Sequence, residues 1–377
     1  MNQPVFITGY AEILQRLDAI DPVQYGKTRN FADGAVTYLS PYISRGVITL
    51  PQVAKIILAK DYKPYQVQKL LQELAWREFF QRVWWHHGDR LFDDLKYPQQ
   101  QVLHHEMIAA VSNAATGIDA IDLHIKNLYQ TGYMHNHVRM YAAGITCNLG
   151  RAYWLQPSRW MYYHLLDGDL ASNTCSWQWV AGTFSSKKYI ANQENINRYL
   201  YSNQQHTIAD HSYETIFDQP LPGVLQQTTE LHLTTPLPET AAAFRLNEAL
   251  PLHVYTTYWL NPEWRKDEPA NRVLLLEPSH FEKFPVSKKV IDFCMRLASD
   301  NIPGIQIFVG EFESLMQRYG GETIVSLQHP LHEHFTGTKD PYPWMFPQVT
   351  GYSGSFFSFW KKCEKYLKQE PLANSIG

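Results

Sequence analysis

The chain has 377 residues, and its 33 Lys and Arg against 36 Asp and Glu leave a formal net charge of −3. At roughly 150 residues per domain this length predicts two domains, and the near-neutral charge excludes a polybasic protein that holds nucleic acid by bulk charge. Aromatic residues make up 14% of the chain, with 11 Trp and 23 Tyr, which is more than core packing alone requires.

Residues 1–205 are predicted to form helices joined by short turns, because apolar residues recur at three- and four-residue spacing. The clearest helix is VQKLLQELAWREFFQRVWW, which carries Glu73, Trp76 and Arg77 on a face separate from its main apolar stripe. In IDLHIKNLYQTGYMHNHVRM, the Thr-Gly pair at 131–132 predicts that one helix ends and another begins. This region is predicted to be all-α.

The sequence changes character after residue 205. Residues 206–249 contain four prolines among Thr, Gln and Glu without a sustained period, which is typical of a linker or an irregular wrap. Residues 250–377 alternate β-rich runs such as IQIFVG with helical patterns such as SKKVIDFCMRLASD, which predicts βαβ units. The predicted fold is an all-α domain followed by a smaller α/β domain with a mostly parallel sheet.

The cysteines and the N-terminal residues bear on localisation. Four Cys without a CxxC pair favour a reducing compartment. Acidic Glu12 interrupts the stretch where a signal peptide would be apolar, and no later run approaches the roughly 18 apolar residues of a membrane span. The sequence therefore predicts a soluble, cytoplasmic protein without a membrane partner.

The common catalytic motifs do not occur in the sequence. There is no phosphate-binding GxxxxGK loop, no GxGxxG turn and no GxSxG elbow. The loop QHPLHEHF carries His329, His332 and His334, but closely spaced loop histidines are more typical of a solvated surface than of a metal site. We therefore predict no metal centre.

The segment 133–179 has an unusual combination of charges and indoles. Arg139 lies on a largely apolar helix and needs a carboxylate partner if it is buried, and Asp167 and Asp169 are the nearest candidates. With amides such as Asn173 and neighbouring indoles, this set suits a planar heteroaromatic ligand that has donor and acceptor edges. An ion pair inside an aromatic helical core explains the same spacing equally well.

Four motifs resemble, in the same order, the flavin-binding half of the DNA photolyases and cryptochromes. They are YLSPYISRGVIT, LQELAWREFF, TGYMHNHVRM and LLDGDLASNTCSWQWVAGT, and the resemblance runs from about Tyr25 to Tyr199. On these collinear motifs the sequence is identified as a member of that family. The resemblance implies an all-α FAD-binding domain of photolyase type with FAD as its cofactor.

The resemblance also implies which residues hold FAD. A hydroxyl-bearing loop lies near the diphosphate; Val36 and Tyr38 depart from the family pattern there, so more of the contact is expected from backbone N–H groups. Asn173 takes the position facing flavin N5, where an amide resembles the photolyases that use fully reduced flavin. The implied cofactor-binding residues are Tyr25, Arg29, Thr37, Leu39, Ser40, Arg77, Arg139, Asp167, Asp169 and Asn173.

A second matching set implies a pocket for a flipped cyclobutane pyrimidine dimer in damaged DNA, where indoles stack on the bases and Glu73 bonds a base edge. His137 replaces the usual Arg of the family, which weakens one contact. The implied substrate-binding residues are Glu73, Trp76, Asn136, His137, Met140 and Trp179.

Two further indoles match a chain of Trp residues that carries an electron to the photoexcited flavin. Trp177 and Trp154 match its first two members, whereas the third falls at Gln101, so a Tyr such as Tyr97 or Tyr153 is an alternative route. Core packing is the other explanation of both Trp. The implied catalytic residues are Glu73, Asn173, Trp154 and Trp177.

The C-terminal half resembles, more loosely, the Rossmann-like α/β antenna domain of the family. In ordinary members that domain comes first, so its place at 250–377 would be a circular permutation; an unrelated α/β domain is the alternative. The resemblance does not identify an antenna chromophore. SSKKYIANQENINRY is similar to the iron–sulfur branch, but the four cluster Cys have no counterparts, so no cluster is expected.

The resemblance therefore implies a blue-light-driven deoxyribodipyrimidine photolyase, a carbon–carbon lyase that acts on damaged DNA. The alternatives are a cryptochrome-like photoreceptor that signals to a protein partner, or a FAD-binding protein without repair activity. His137, the missing third Trp and the domain order favour the photoreceptor. The substrate-facing set, Trp76 and Trp179 included, favours repair.

Overall fold

The computed structural model describes residues 5–212, 215 and 219–369, so residues 213, 214 and 216–218 of the predicted linker lie outside the described residues. Its α-helices are α1 (Tyr10–Asp18), α2 (Pro22–Thr28), α3 (Ser40–Ser44), α4 (Leu50–Leu58), α5 (Pro64–His87), α6 (Ala109–Ser112), α7 (Asp119–Thr131), α8 (Asn136–Gly144), α9 (Leu155–His164), α10 (Leu170–Ala181), α11 (Gln193–Leu200), α12 (Pro278–Lys283), α13 (Lys288–Asn301), α14 (Phe312–Tyr319) and α15 (Phe356–Gln369). Its β-strands are β1 (Met107–Ile108), β2 (Thr228–Thr229), β3 (Leu252–Tyr255), β4 (Asn271–Leu276), β5 (Gln306–Val309), β6 (Ile324–Leu327) and β7 (Thr338–Asp340).

The backbone contacts divide the chain into two compact units that are interleaved in sequence. The first unit holds the described residues of 1–5, 23–36 and 86–233, and the second those of 6–22, 37–85 and 234–377. The predicted boundaries at residues 205 and 249 follow chain order instead. That three-segment division, with its circular permutation, stays a prediction.

The first unit is built around α7, α8, α9 and α10, which surround a core of apolar and aromatic side chains. As predicted, α7 ends at Thr131: Gly132 has φ +73°, and a Cβ there would lie 2.6 Å from Leu166 Cγ, so both the turn and the close approach require glycine. Asp169 caps α10, because its side chain accepts a hydrogen bond from Ser172 N at 2.7 Å.

The second unit contains a five-stranded parallel sheet with the order β5-β4-β3-β6-β7. Val254 and Leu275 of adjacent strands are buried, and α14 packs on the same core through Phe312 and Leu315. The predicted fold class, helical followed by α/β with a parallel sheet, is confirmed. The sequence did not predict β7, because its three residues, Thr-Lys-Asp, lack an apolar pattern.

Two of the three histidines in the loop after β6, His329 and His332, are buried, whereas the sequence predicted a solvated loop; the His334 side chain is 46% exposed, as predicted. His329 packs against the rings of Trp84 and Tyr258 at 5.3 and 5.2 Å, and His332 stacks on Phe335 at 4.8 Å. Burial lowers the pKa of His329 to about 3, so its ring is neutral at pH 7. In the ranges the structure describes, no group of three His, Cys, Asp or Glu is arranged to hold a metal ion.

None of the described helices has both the length and the apolar composition that a membrane-spanning segment needs.

Candidate functional site

The predicted site residues are divided between the two units. Those in the first are Tyr25, Arg29, Asn136, His137, Arg139, Met140, Trp154, Asp167, Asp169, Asn173, Trp177 and Trp179. Those in the second are Thr37, Leu39, Ser40, Glu73, Trp76 and Arg77.

A buried ion pair stands at the centre of the first-unit set. Arg139 Nη2 donates to both carboxylate oxygens of Asp167 at 3.0 Å, and Arg139 Nε donates to the Met134 carbonyl at 2.8 Å. The Asp167 side chain is 4% exposed and that of Arg139 is 19% exposed. The need of a helical Arg for a carboxylate left Asp167 and Asp169 as candidates, and the family resemblance implied Asp167. Such a pair fixes the guanidinium plane, which is the requirement for orienting a planar ligand.

The start of α10 presents a carboxylate, a hydroxyl and an amide in sequence. Asp169 is buried and occupied by its capping bond, whereas Ser172 Oγ is buried without a hydrogen-bond partner among the residues that the structure describes. Asn173 Nδ2 donates to the Ser158 carbonyl at 2.9 Å, which fixes the amide and leaves its oxygen as the group that can accept from a ligand.

These groups fit FAD chemically. The isoalloxazine and ribose present both donors and acceptors, and the first unit supplies a guanidinium at Arg139, carboxylates at Asp167 and Asp169, and an amide at Asn173. The unpartnered Ser172 hydroxyl adds a buried polar atom that a ligand would satisfy.

Tyr25 and Arg29 lie at the end of α2, where Arg29 N donates to the Tyr25 carbonyl at 3.0 Å. His135, the N-cap residue of α8, accepts a hydrogen bond from His137 N through its ring Nδ1 at 3.2 Å. Burial is the main reason why the pKa of His135 falls to about 4. The neutral imidazole therefore caps the start of α8, the helix that carries Arg139.

His137 is occupied by neighbours within the first unit. Its Nδ1 lies 3.0 Å from the Asn30 carbonyl, its Nε2 lies 3.2 Å from the Tyr189 hydroxyl, and its ring stacks on Tyr141 at 4.6 Å. Burial is the largest cause of its lowered pKa. A neutral ring with both nitrogens engaged is a weak phosphate ligand, so a substrate contact through His137 would require these bonds to break.

The other substrate-facing residues of the first unit are more accessible. Asn136, the first residue of α8, is exposed, and Met140 and Trp179 are partly buried. The Trp179 ring lies 5.8 Å from that of Tyr189. These side chains keep surface that a base could contact; their substrate role stays a prediction.

Two charged residues of α5 have partners in the second unit. Glu73 Oε1 pairs with Lys69 Nζ at 2.9 Å, and Arg77 Nη1 donates to Ser44 Oγ at 2.9 Å. The Lys69–Glu73 pair is partly exposed, whereas Ser44 is buried. Exposed ion pairs contribute at most about 1 kcal/mol, so Glu73 can exchange Lys69 for a ligand at low cost.

The predicted diphosphate loop precedes the short helix α3. Tyr38 has φ +52°, and Leu39 N donates to Thr37 Oγ1 at 3.3 Å. The Leu39 side chain is buried, and Ser40 opens the helix. The diphosphate role of this loop, with more backbone contact where Val36 and Tyr38 depart from the family pattern, stays a prediction.

Trp76 is covered by an aromatic ring that the sequence did not link to it. The ring of Phe356, the first residue of α15, lies parallel to the indole with centroids 3.8 Å apart and an interplanar angle of 9°. Phe356 itself is 3% exposed. It takes the place that a stacked base would occupy on that face of Trp76.

The two indoles predicted to carry electrons are both buried in the core of the first unit. Trp154 Nε1 donates to Asp94 Oδ1 at 2.8 Å, whereas Trp177 Nε1 is buried without a hydrogen-bond partner in the described ranges. Gln101, at the position of the third Trp, is exposed and accepts from Lys188 Nζ at 3.2 Å. The electron-carrying role stays a prediction.

Sequence reasoning missed two residues that touch predicted site residues. Asp94 contacts Trp154 from 60 positions away, in the polar stretch FDDLKYPQQ, which has no pattern to distinguish it. Phe356 reaches Trp76 from 280 positions away; the aromatic cluster FFSFW is the one local signal that could have drawn attention to it.

Comparison with known proteins relates the chain to light-dependent flavoproteins. Residues 70–214 match the family described as the FAD binding domain of DNA photolyase. A deoxyribodipyrimidine photo-lyase of Synechococcus sp. is 30% identical over 203 residues, which cover 47% of this chain and 41% of that protein. Cryptochrome DASH of Danio rerio is 27% identical over 284 residues, covering 68% of this chain and 51% of that protein.

Among solved structures, a cryptochrome of Synechocystis sp. is 23% identical with a TM-score of 0.47, covering 52% of this chain and 44% of that one. The chain thus spans between 41% and 51% of the curated relatives named above.

Proposed function

Because the chain belongs to the photolyase and cryptochrome family, we propose that it is a FAD-dependent DNA photolyase that splits cyclobutane pyrimidine dimers under blue light. The observation that carries the proposal is the oriented polar set of the first unit, in which Asp167 fixes Arg139 and Ser158 fixes the amide of Asn173. When bound, FAD would supply a light-excited electron to the dimer.

The residues of this chain hold and orient the cofactor. Arg139 and the carboxylates of Asp167 and Asp169 bind polar edges of the isoalloxazine and ribose, with Tyr25 and Arg29 nearby in the same unit. The amide oxygen of Asn173 accepts a hydrogen bond from the N5 side and keeps the proton there on the ligand, since Nδ2 is already committed to Ser158. Thr37, Leu39, Ser40 and Arg77 belong to the second unit, and their cofactor role stays a prediction.

The substrate side needs stacking surface more than charge. Trp179 and Met140 offer partly accessible apolar surface, and Asn136 offers an exposed amide. Base stacking on an aromatic side chain contributes about 1–3 kcal/mol per base, so a flipped dimer can be held without the engaged His137. Glu73 bonds a base edge once it leaves Lys69.

A repair assay tests the proposal. The purified protein, loaded with chemically reduced FAD, is illuminated with blue light in the presence of dimer-containing single-stranded or duplex DNA. We expect dimers to disappear in the light and to persist in the dark. Persistence of dimers in the light, despite bound FAD, would contradict the proposed repair activity.

The variant Asn173→Asp refines this assay, because a carboxylate beside reduced flavin adds a like charge. We expect its flavin potential to fall by at least about 30 mV, a tenfold change for a two-electron couple, and the fraction of flavin that stays fully reduced at a fixed solution potential to fall with it. Asn113→Asp is the matched control: Asn113 is exposed in the same unit and is not a predicted site residue, so neither quantity should change. Equal potentials in both variants would refute the N5 assignment.

A second function, a cryptochrome-like photoreceptor, is favoured by one observation. Phe356 already stacks on Trp76, so this indole is not free to receive a base on that face. In this role the same FAD site would absorb light without DNA repair, and the response would pass to a protein partner.

The variant Phe356→Leu separates the two functions. Leucine retains volume but cannot stack, so it should uncover Trp76 and raise affinity for dimer DNA roughly five- to 150-fold if stacking contributes about 1–3 kcal/mol. Phe359→Leu, on the same helix and packed on Phe79, is the control for lost packing. Gel-shift titration measures both; unchanged affinity in Phe356→Leu would remove the argument for a covered substrate face.

A further inference from the structure

Two adjacent aromatic residues of the first unit share one carboxylate oxygen. Asp94 Oδ1 accepts a hydrogen bond from the Trp154 indole Nε1 at 2.8 Å and another from the Tyr153 hydroxyl at 3.1 Å. The two ring centroids are 5.7 Å apart. The Tyr153 phenol could therefore give an electron to the Trp154 indole and a proton to the Asp94 carboxylate.

The geometry of this trio is fixed by a fourth residue. Gln99 N donates to Asp94 Oδ2 at 2.9 Å, while the Gln99 side chain accepts from Trp154 N at 3.0 Å and donates to the Ala152 carbonyl at 2.8 Å. Gln99 thus ties the Asp94 carboxylate to the backbone of Trp154 and Ala152. A preorganised acceptor of this kind needs little rearrangement when charge moves.

The trio also spans the boundary between core and solvent. Trp154 is 0% exposed, Tyr153 is partly exposed, and the exposed ring of His105 lies 4.9 Å from that of Tyr153. Tyr153 is therefore placed to give an electron to the buried Trp154 indole and to be reduced again by a soluble reductant. Gln101, at the position of the missing third Trp, has no aromatic ring and cannot take this role.

The chemistry distinguishes the phenol from the indoles. A phenol that loses an electron becomes a strong acid and must release its proton, whereas an indole radical cation is a much weaker acid. Burial, followed by Asp94, raises the pKa of Tyr153 to about 12, so the phenol is fully protonated before oxidation. Trp177 Nε1, by contrast, is buried without a described proton acceptor, so an oxidised Trp177 recovers by taking an electron.

We propose that Tyr153 is the terminal electron donor to Trp154 and that Asp94 is the base that takes its proton. The inference rests on the proposed function for its oxidant, a photoexcited flavin that is reduced by one electron. It goes beyond that function because it assigns two residues that replace a missing indole.

The step balances. After Trp154 has lost one electron, Tyr153 gives one electron to the indole, its O–H bond breaks, and the proton moves to Asp94 Oδ1. The products are a restored Trp154, a neutral tyrosyl radical and a neutral Asp94 acid. A soluble thiol then returns a hydrogen atom to the phenoxyl oxygen, and Asp94 releases its proton to water.

The test compares Tyr153→Phe, Asp94→Asn and a matched control, Tyr97→Phe, in the full chain. Tyr97 is 50% exposed and is the other tyrosine considered from the sequence. Blue light is applied to the flavin-loaded protein, and electron paramagnetic resonance identifies the trapped radical. In parallel, an ultraviolet flash photoionises tryptophans in flavin-free protein, and transient absorption follows the transfer from indole to phenol.

We expect a tyrosyl radical in the wild type and in Tyr97→Phe, and an indole radical in Tyr153→Phe. Asp94→Asn should slow tyrosyl formation at least about tenfold, because an amide cannot accept the proton. The solvent deuterium effect on that step should be present in the wild type and absent in Tyr153→Phe. Near-ultraviolet circular dichroism checks that each variant keeps its fold.

Either of two results overturns the inference: an undiminished tyrosyl radical in Tyr153→Phe, or a wild-type rate in Asp94→Asn. If the protein fails to bind FAD, the blue-light measurement gives no radical signal and the proposed function is contradicted. The ultraviolet measurement still decides the roles of Tyr153 and Asp94, so the two failures are distinguishable.

Discussion

Replacing Glu78 by Leu should lower the free energy of unfolding by about 3–5 kcal/mol, because removal of one partner leaves a buried charge and buried N–H groups unpaired. The Glu78 side chain is 0% exposed. Its oxygens accept from Arg82 Nε at 3.0 Å and Nη2 at 2.9 Å, and from the backbone N–H groups of Met345 and Phe346. Denaturant titration of the purified protein measures the loss.

Two variants control this experiment. Glu78→Gln keeps an acceptor for the backbone N–H groups but loses the charge, so it should cost less than the leucine variant. Glu73→Gln removes a carboxylate from the same helix, where the pair with Lys69 is about one-third exposed on both sides; it should cost at most about 1 kcal/mol. Equal losses of unfolding free energy in Glu78→Leu and Glu73→Gln would show that the buried hydrogen bonds of Glu78 do not cause the destabilisation.

Replacing Arg139 by Leu should destabilise the protein by about 3 kcal/mol and abolish FAD retention, since Asp167 would be buried without its counter-charge. The stability change is read from denaturant titration and the flavin content from the absorbance of the purified protein. Arg139→Lys keeps the charge but loses the forked geometry of the guanidinium. It should therefore keep a larger fraction of the wild-type free energy of unfolding than of the wild-type flavin content.

The double variant Arg139→Met with Asp167→Leu separates the two effects. An apolar pair of similar volume restores packing without charge, so most of the stability should return while FAD binding stays lost. Full FAD retention in the double variant would refute the role of this pair in holding the cofactor. A stability loss below about 1 kcal/mol in Arg139→Leu would mean that the pair is solvated, in the range of surface ion pairs.

Local features were predictable where the determinants are close in sequence. The period of LQELAWREFF indicated α5, and the Thr-Gly pair at 131–132 indicated the end of α7 because glycine adopts the positive φ that a helix end requires. The electrostatic cost of a lone buried guanidinium predicted a carboxylate partner for Arg139 at Asp167 or Asp169, and the resemblance to the family implied Asp167, which the structure shows.

Features that depend on distant segments were not predictable in this way. The stacking of Phe356 on Trp76 and the bond from Trp154 to Asp94 join residues with no shared local pattern. The histidine loop was predicted to be solvated because loops usually are. The rings of His329 and His332 are instead buried, and His329 packs against Trp84 of α5, a contact that no local sequence pattern near His329 predicts. The interleaving of the two units belongs to the same class.

During synthesis, all residues of the first unit are made before the last segment of the second unit, which begins at residue 234. The largest block of the first unit, residues 86–233, is continuous, whereas Glu78 of the second unit meets Phe346 268 positions later. At about 5–20 residues per second, α5 waits on the order of tens of seconds for that partner. Apolar helix faces of the nascent second unit therefore stay unpaired while the first unit folds, and they are prone to aggregation in that interval.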